Sequence, residues 1–235
     1  MISIVTPVLD HPEFIEGYKR AVQGASEVIL VDTGSTSENR EAWASVGRVI
    51  DYPHAGRNYG HWCNAGYEQS TGDIVIFLNN DVAPTGDWLA QVAGIEDGAL
   101  YGPELQAQIV DGVTIPFLSG WCIAARRETW ERIREETEWR AKSDEPYHDP
   151  GYSAVWLDGP WDEYSYPDNG YWEDNALCFE AMLLGLRLEQ TIWPITHLAG
   201  GNGTSKHKQA YYADVTRNRA AFARRVREAM HHATV

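Results

Sequence analysis

Cysteine is scarce in this chain: Cys63, Cys122 and Cys178 lie far apart, and any pairing leaves one over. Their spacing matches no thiolate metal site and no disulfide framework, so they read as free buried thiols of a reducing compartment. The expected location is the cytoplasm. No apolar run approaches the roughly 20 residues that span a bilayer. Met1–Pro7 lacks the basic start and long apolar core of a signal peptide and reads as a strand. Internal repeats and low-complexity tracts are also missing.

Positive charge is in short supply. Nineteen Lys and Arg stand against 34 Asp and Glu, for a net charge of −15, which excludes a general nucleic-acid binder. No Gly-x-x-x-x-Gly-Lys-Ser/Thr loop is present, and Gly56…Gly60 lacks the spacing of a dinucleotide fingerprint. A bound diphosphate would therefore depend on a cation or on the few basic side chains. Those gather at the end: Lys206, Lys208, Arg217, Arg219, Arg224, Arg225 and Arg227 give the segment from Thr204 about +5, against about −20 before it. Such a tail is by default a solvated helix face. The sharper reading is contact with a diphosphate, or peripheral membrane contact through a basic C-terminal helix.

What is present is an alternation of strand and helix patterns. Ile2–Val8, Glu27–Asp32, Arg48–Tyr52 and Ile74–Leu78 predict strands, with helices over Pro12–Gln23 and Asn58–Ser70 between them. Continuous apolar strands separated by helices imply an α/β fold, a mostly parallel central sheet covered on both faces. Beyond residue 104 the pattern becomes mixed. A hairpin is expected over Leu105–Val110 and Val113–Leu118, a strand over Trp121–Ala125 and a charged helix from Glu128 to Ala141. Helix is expected again over Trp172–Gly185, extended chain over Leu186–Ile195, and a last helix from Gln209 to His231. One domain results, with residues 1–104 as a nucleotide-binding half, 105–203 as an acceptor and catalytic half, and 204–235 as a basic tail.

Chemistry concentrates at strand ends, where ligands of open α/β sheets collect. Gly72–Asp81 is the most informative stretch: five apolar residues lead into Asn79-Asn80-Asp81, placing a carboxylate where a cation could be held against a phosphate. Asp32 closes the second strand and reads either as a turn acid in Asp-Thr-Gly-Ser or as an acceptor for a base or ribose. Glu173 and Asp174 open a helix, either as ordinary N-terminal acids or as a general base beside a metal-bound leaving group. His197 follows a strand and precedes the glycine-rich Ala199–Thr204, as a metal ligand or a satisfied core residue. Between Trp139 and Trp172 nine aromatics alternate with acids. That mixture suits sugar rings, and core packing accounts for part of it.

Taken in order, these pieces resemble a family-2 glycosyltransferase with a GT-A fold, over about residues 2–200, with a rhamnosyltransferase-like subgroup of motifs. Thr6-Pro7 and Asp10 look like the first nucleotide-contacting loop. Val31-Asp32-Thr33-Gly34-Ser35 is similar to a Val-Asp-x-Gly-Ser motif whose Asp contacts the base. Asn58-Tyr59-Gly60 and Asn64-Ala65-Gly66 resemble an Asn-x-Gly…Asn-x-Gly run. Leu78-Asn79-Asn80-Asp81 stands at the Asp-x-Asp position, with Asn79 replacing the first acid. Cys63 stands where many members carry Arg. Ser119-Gly120-Trp121 looks like the donor-sugar strand, Gly159-Pro160-Trp161-Asp162-Glu163 resembles Gly-x-Phe-Asp-Glu, and Trp172-Glu173-Asp174 resembles Glu-Asp.

The resemblance implies a metal-dependent inverting transfer from a UDP, GDP or dTDP sugar to a carbohydrate-like or other hydroxyl acceptor. Asp174, beside Glu173, is the implied base, and Asp81 and His197 are the implied ligands of Mn2+ or Mg2+. Thr6, Pro7, Asp10, Asp32, Asn58, Gly60, Asn64, Asn79, Asn80, Gly120 and Trp121 are the implied donor contacts. Trp161, Asp162, Tyr171 and Trp172 are expected toward the acceptor. Two other readings compete: a non-catalytic sugar-binding protein of the same fold, and a sugar-nucleotide nucleotidyltransferase. The latter would want a glycine-rich N-terminal loop with Arg and Lys, whereas this chain begins with Thr6-Pro7-Val8-Leu9-Asp10.

Overall fold

The computed structural model describes residues 1–52, 59–143, 159–161, 172–198 and 208–232. Strands β1 (Ile2–Val8), β2 (Glu27–Asp32), β3 (Arg48–Asp51) and β4 (Ile74–Leu78) form where continuous apolar runs were expected. They line up in parallel with β1 between β2 and β4. Alternate residues feed two cores: Ile4, Leu30 and Ile76 lie on one face, and Val5, Ile29, Val31 and Phe77 on the other. That division is the period-2 geometry of a strand buried on both sides, and it explains why these segments show no polar alternation.

Later segments complete the same sheet. β6 (Ala99–Gly102), β9 (Cys122–Arg126) and β10 (Arg187–Gln190) extend it to seven strands in the order β10-β6-β9-β4-β1-β2-β3. Every neighbouring pair is parallel except those made by β9, which runs against both β4 and β6. The two halves expected from the sequence thus share one sheet. Because β9 is reversed, its first residue Cys122 sits opposite Leu78 at the end of β4. The turn before β9 therefore lies at the edge where β1, β2 and β4 end.

Two small sheets flank this edge. β5 (Val82–Pro84) pairs antiparallel with β11 (Ile195–His197), and β7 (Leu105–Val110) with β8 (Val113–Leu118). The expected extended stretch 186–195 is thus two strands in two different sheets. The expected first helix divides into a 3-10 turn, Pro12–Phe14, and α1 (Ile15–Ala21). α2 (Ser37–Ala44) begins where the sequence reads as a turn-rich loop; Thr36 caps it by accepting the Asn39 amide. α3 (Tyr59–Glu68) starts one residue after Asn58, which lies outside the described residues.

α4 (Leu89–Val92) is a single turn, and α5 (Arg127–Ser143) and α6 (Glu173–Leu183) match their expected positions within a few residues. The basic tail is α7 (Lys208–His232). Its Phe222 and Val226 are buried against Phe179 and Trp172, Arg225 forms a two-pronged bond with Glu180, and Arg227 pairs with Asp111. The apolar face of α7 is turned to protein, so nothing supports the expected membrane contact. Among the described residues no helix is long and apolar enough to cross a membrane. All three cysteines are free and buried.

Candidate active site

The site is built on the edge where β1, β2, β4 and β6 end and β9 begins. At the end of β4 the chain runs through Asn79 and Asn80 to Asp81, which is nearly buried. β11 pairs with β5 so that His197 stands opposite Val82, and this register delivers its ring to Asp81. His197 Nε2 lies 3.0 Å from Asp81 Oδ1 and 3.4 Å from the Asn79 side-chain amide. Two backbone bonds hold the pair, from the Leu198 N–H to Asp81 O and from the Asn79 N–H to Trp121 O, each 2.8 Å. The Trp121 indole stacks on the His197 ring at 5.2 Å and 2°, and its Nε1–H donates to Glu104.

Asp81 and His197 suit a hard divalent cation. Bonds of about 2.1 Å to adjacent octahedral positions put two donor atoms about 3.0 Å apart, which is the separation observed. Among the described residues no cluster of three His, Cys, Asp or Glu could hold a metal, so the candidate acidic and imidazole ligands there are this pair. The remaining positions suit phosphate oxygens and water.

The residue before Trp121 holds Asp174. The Gly120 N–H donates to Asp174 Oδ2 at 3.0 Å, and the Asn175 N–H to Oδ1 at 2.9 Å. A Cβ on Gly120 would lie 3.2 Å from the Asp174 Cβ, so the close approach favours glycine. Tyr59 donates its hydroxyl to Gly120 O at 3.1 Å, which ties α3 to the same turn. Burial raises the Asp174 carboxyl above its ordinary range, against the two N–H bonds, and the charge of Glu104 adds to the rise. Burial, helped by Asp174, pushes Glu173 up to about 8. Trp172, just before this pair, has φ 87°, a costly conformation for a bulky residue. Its ring is anchored on Phe222, which holds the entry into α6.

The other expected site residues divide. Asp32 is buried at the end of β2; its Oδ1 accepts the Gly34 and Ser35 amides, and its Oδ2 faces Arg40 Nε at 3.6 Å. It lies two strand spacings from β4, roughly 10 Å at the usual sheet separation. Asp10 shapes the loop between: its Oδ1 accepts from the Thr36 amide and the Asn39 side chain, which hold its carboxyl below the usual range. Pro7 and Asn80 are half-buried near the edge, and Gly60 is buried in the first turn of α3.

Four expected contacts face inward instead. Thr6 is wholly buried, its hydroxyl bonded to that of Tyr18. Asn64, also wholly buried, clasps Trp161: its Nδ2 donates to Trp161 O at 2.9 Å and its Oδ1 accepts Trp161 N–H at 3.0 Å. Both polar atoms of the side chain are thus engaged by the loop. The Trp161 ring is packed edge-on against Phe77 and Tyr59, and Trp172 is buried on Phe222, so neither presents a face to an acceptor. Asp162 and Tyr171 lie outside the described residues. Tyr59 and Glu104 were missed by sequence reasoning; Tyr59 fills the unspecified position of Asn58-Tyr59-Gly60, Glu104 lies in no motif, and the folded turn at Gly120–Trp121 reveals both.

Residues 3–99 match the family model described as glycosyl transferase family 2. The undecaprenyl-phosphate 4-deoxy-4-formamido-L-arabinose transferase of Pseudomonas fluorescens (strain Pf0-1) is 32% identical over 94 residues, 34% of this chain and 28% of that protein. Among solved structures, GalNAc-T7 with UDP, GalNAc and Mn2+ is similar at a TM-score of 0.61 and 11% identity, over 93% of this chain and 47% of that one. A mannosyltransferase from Pyrobaculum calidifontis in complex with GDP-Man and Mn2+ is similar at 0.54 and 16%, over 81% and 54%. Glucosyl-3-phosphoglycerate synthase from Mycobacterium tuberculosis, with Mn2+, UDP and phosphoglyceric acid, is similar at 0.51 and 20%, over 84% and 70%.

At these identities the structural likeness concerns the fold. The chain spans about a quarter of the length of the curated relative and about half of the mannosyltransferase. None of these four relatives is named as a rhamnosyltransferase. Residues 3–99 are thus similar to glycosyl transferase family 2, and the fold of the chain is GT-A.

Proposed function

We propose that this protein transfers a sugar from a nucleoside-diphosphate sugar to an acceptor hydroxyl, with inversion at the anomeric carbon. One observation carries the proposal. A single turn, Gly120–Trp121, touches both the Asp174 carboxylate, which accepts from the Gly120 N–H, and the Asp81–His197 pair, whose His197 ring stacks on Trp121. Inverting transfer needs two such poles, one for the departing diphosphate and one for the entering hydroxyl.

Asp81 and His197 would hold a divalent cation, Mn2+ or Mg2+, whose charge stabilises a diphosphate leaving group. Asp32 at the end of β2 would accept from the base through Oδ2, since the two loop amides occupy Oδ1. Asp174 takes the acceptor hydroxyl's proton as the oxygen attacks; its raised affinity for protons improves it as a base. Gly120 N–H fixes which way that carboxylate points. Candidate donors carry UDP, GDP or dTDP, and the acceptor is a carbohydrate or another hydroxyl compound.

The test is a panel of nucleotide sugars with Mn2+, scored by release of free nucleoside diphosphate. Asp174→Asn should reduce release by about 10²–10⁴-fold while leaving donor binding in calorimetry largely intact. Full activity of Asp174→Asn would sink the assignment. Donor binding without any turnover, for every donor tried, would favour a non-catalytic sugar-nucleotide binder, the reading that Asn79 at an acid's position supports.

A further inference from the structure

We propose that the side-chain oxygen of Asn79 is a third ligand of the cation held by Asp81 and His197. This chain then substitutes a neutral ligand for the first acid of the motif and does not lose that ligand. The inference rests on the cation reading of the Asp81–His197 pair given above.

The argument starts from one nitrogen. His197 Nε2 lies 3.0 Å from Asp81 Oδ1 and 3.4 Å from Asn79 Nδ2. A ring nitrogen offers one in-plane direction, occupied either by a hydrogen or by a lone pair. With a hydrogen it satisfies Asp81, and the Asn79 N–H then points at another N–H. With a lone pair it accepts from Asn79 and then faces a carboxylate oxygen. Neither state satisfies both neighbours. The oxygen and nitrogen of an amide are told apart by their surroundings, and turning the Asn79 amide over brings its oxygen to the same point. Two oxygens and a nitrogen then converge, three electron-pair donors that call for a positive centre.

The spacing agrees. Adjacent ligands with bonds of about 2.1–2.2 Å stand about 3.0–3.4 Å apart when octahedral angles open modestly beyond a right angle. The frame is rigid as well. The Asn79 N–H is bonded to Trp121 O and the Leu198 N–H to Asp81 O, while the His197 ring is stacked on Trp121. A single shared hydrogen on Nε2 is the competing arrangement, and it needs no cation. With one carboxylate in place of two, the bare site attracts a cation less strongly, so nucleotide should strengthen binding. An imidazole nitrogen beside amide and carboxylate oxygens favours Mn2+ over Mg2+.

The experiment is Mn2+ titration of the full chain, alone and with saturating UDP or GDP, read by loss of the free-ion EPR signal. Melting curves by circular dichroism run alongside. Asn79→Asp should tighten Mn2+ by about tenfold and Asn79→Leu should weaken it by about tenfold, the scale on which ligand charge and support tune such sites. The tightening by Asn79→Asp cannot arise from misfolding. Unchanged Mn2+ affinity in both Asn79 variants, with binding lost in Asp81→Asn, would overturn this inference and leave the Asp81–His197 pair standing. Unchanged affinity in Asp81→Asn, or no binding by the wild type under any condition, would overturn the cation reading itself and this inference with it.

Discussion

Truncation of Asn64 separates a structural clasp from a donor contact. The Asn64 side chain is wholly buried and binds both the N–H and the C=O of Trp161, at 3.0 and 2.9 Å. Asn64→Ala removes both partners at once, and Trp161 is 1% exposed, so water has little access to replace them. Each buried backbone group left unpaired costs about 1–3 kcal/mol, for a total of about 2–6 kcal/mol. The turn cannot collapse to recover the contact, because Gly159 is already against Asn64; even a Cβ there would lie 2.3 Å from Asn64 Oδ1.

For a chain of this size the loss corresponds to a urea midpoint lower by about 1–2 M, read by tryptophan fluorescence. Asn64→Asp tests the geometry further. Its carboxylate still accepts the Trp161 N–H but sets a second oxygen against the carbonyl. Its deficit should shrink as pH falls, because the protonated acid can donate where the amide did. A fall in stability below about 0.5 kcal/mol for Asn64→Ala, together with lost donor affinity, would refute the clasp and restore Asn64 as a ligand.

Two further outcomes follow from buried charge. Glu173 has its folded pKa raised from 4.5 to about 8, so its contribution to stability is fully present below about 4.5 and is lost as pH rises through about 8. Glu173→Gln keeps the neutral form, and its urea midpoint should gain on the wild type between pH 5 and pH 8; an equal difference at both pH values contradicts this. Arg225 donates twice to Glu180, whose side chain is 3% exposed. Arg225→Ala should cost about 2–4 kcal/mol, somewhat below the range for fully buried pairs because the arginine is partly solvated. The double variant Arg225→Met/Glu180→Leu should recover most of it in thermal melts, and a single variant with wild-type stability would show the pair to be idle.

The sequence by itself determined the parallel core of the central sheet, β1 to β4. Runs such as Ile74–Leu78 are apolar at every position because successive side chains enter opposite cores, and that pattern is local. The acids at the strand ends, Asp32 and Asp81, were equally legible, since each directly follows an apolar run, but whether each serves a turn or a ligand was not. The final helix was legible too, but not its burial on α6, because a basic composition hides the apolar face made by Phe222 and Val226.

Only the tertiary structure decided which motif residues face the site. Thr6, Asn64, Trp161 and Trp172 sit in motif positions, yet their side chains turn into the core, and the direction of a side chain depends on what packs opposite it. The reversal of β9 likewise cannot be read from residues 122–126. It is set by pairing with β4 and β6, strands well separated from it in sequence. That reversal brings the Gly120–Trp121 turn to the end of β4, where it bonds Asp174 and the Asn79 N–H. Non-local pairing therefore makes one site out of residues nearly a hundred positions apart.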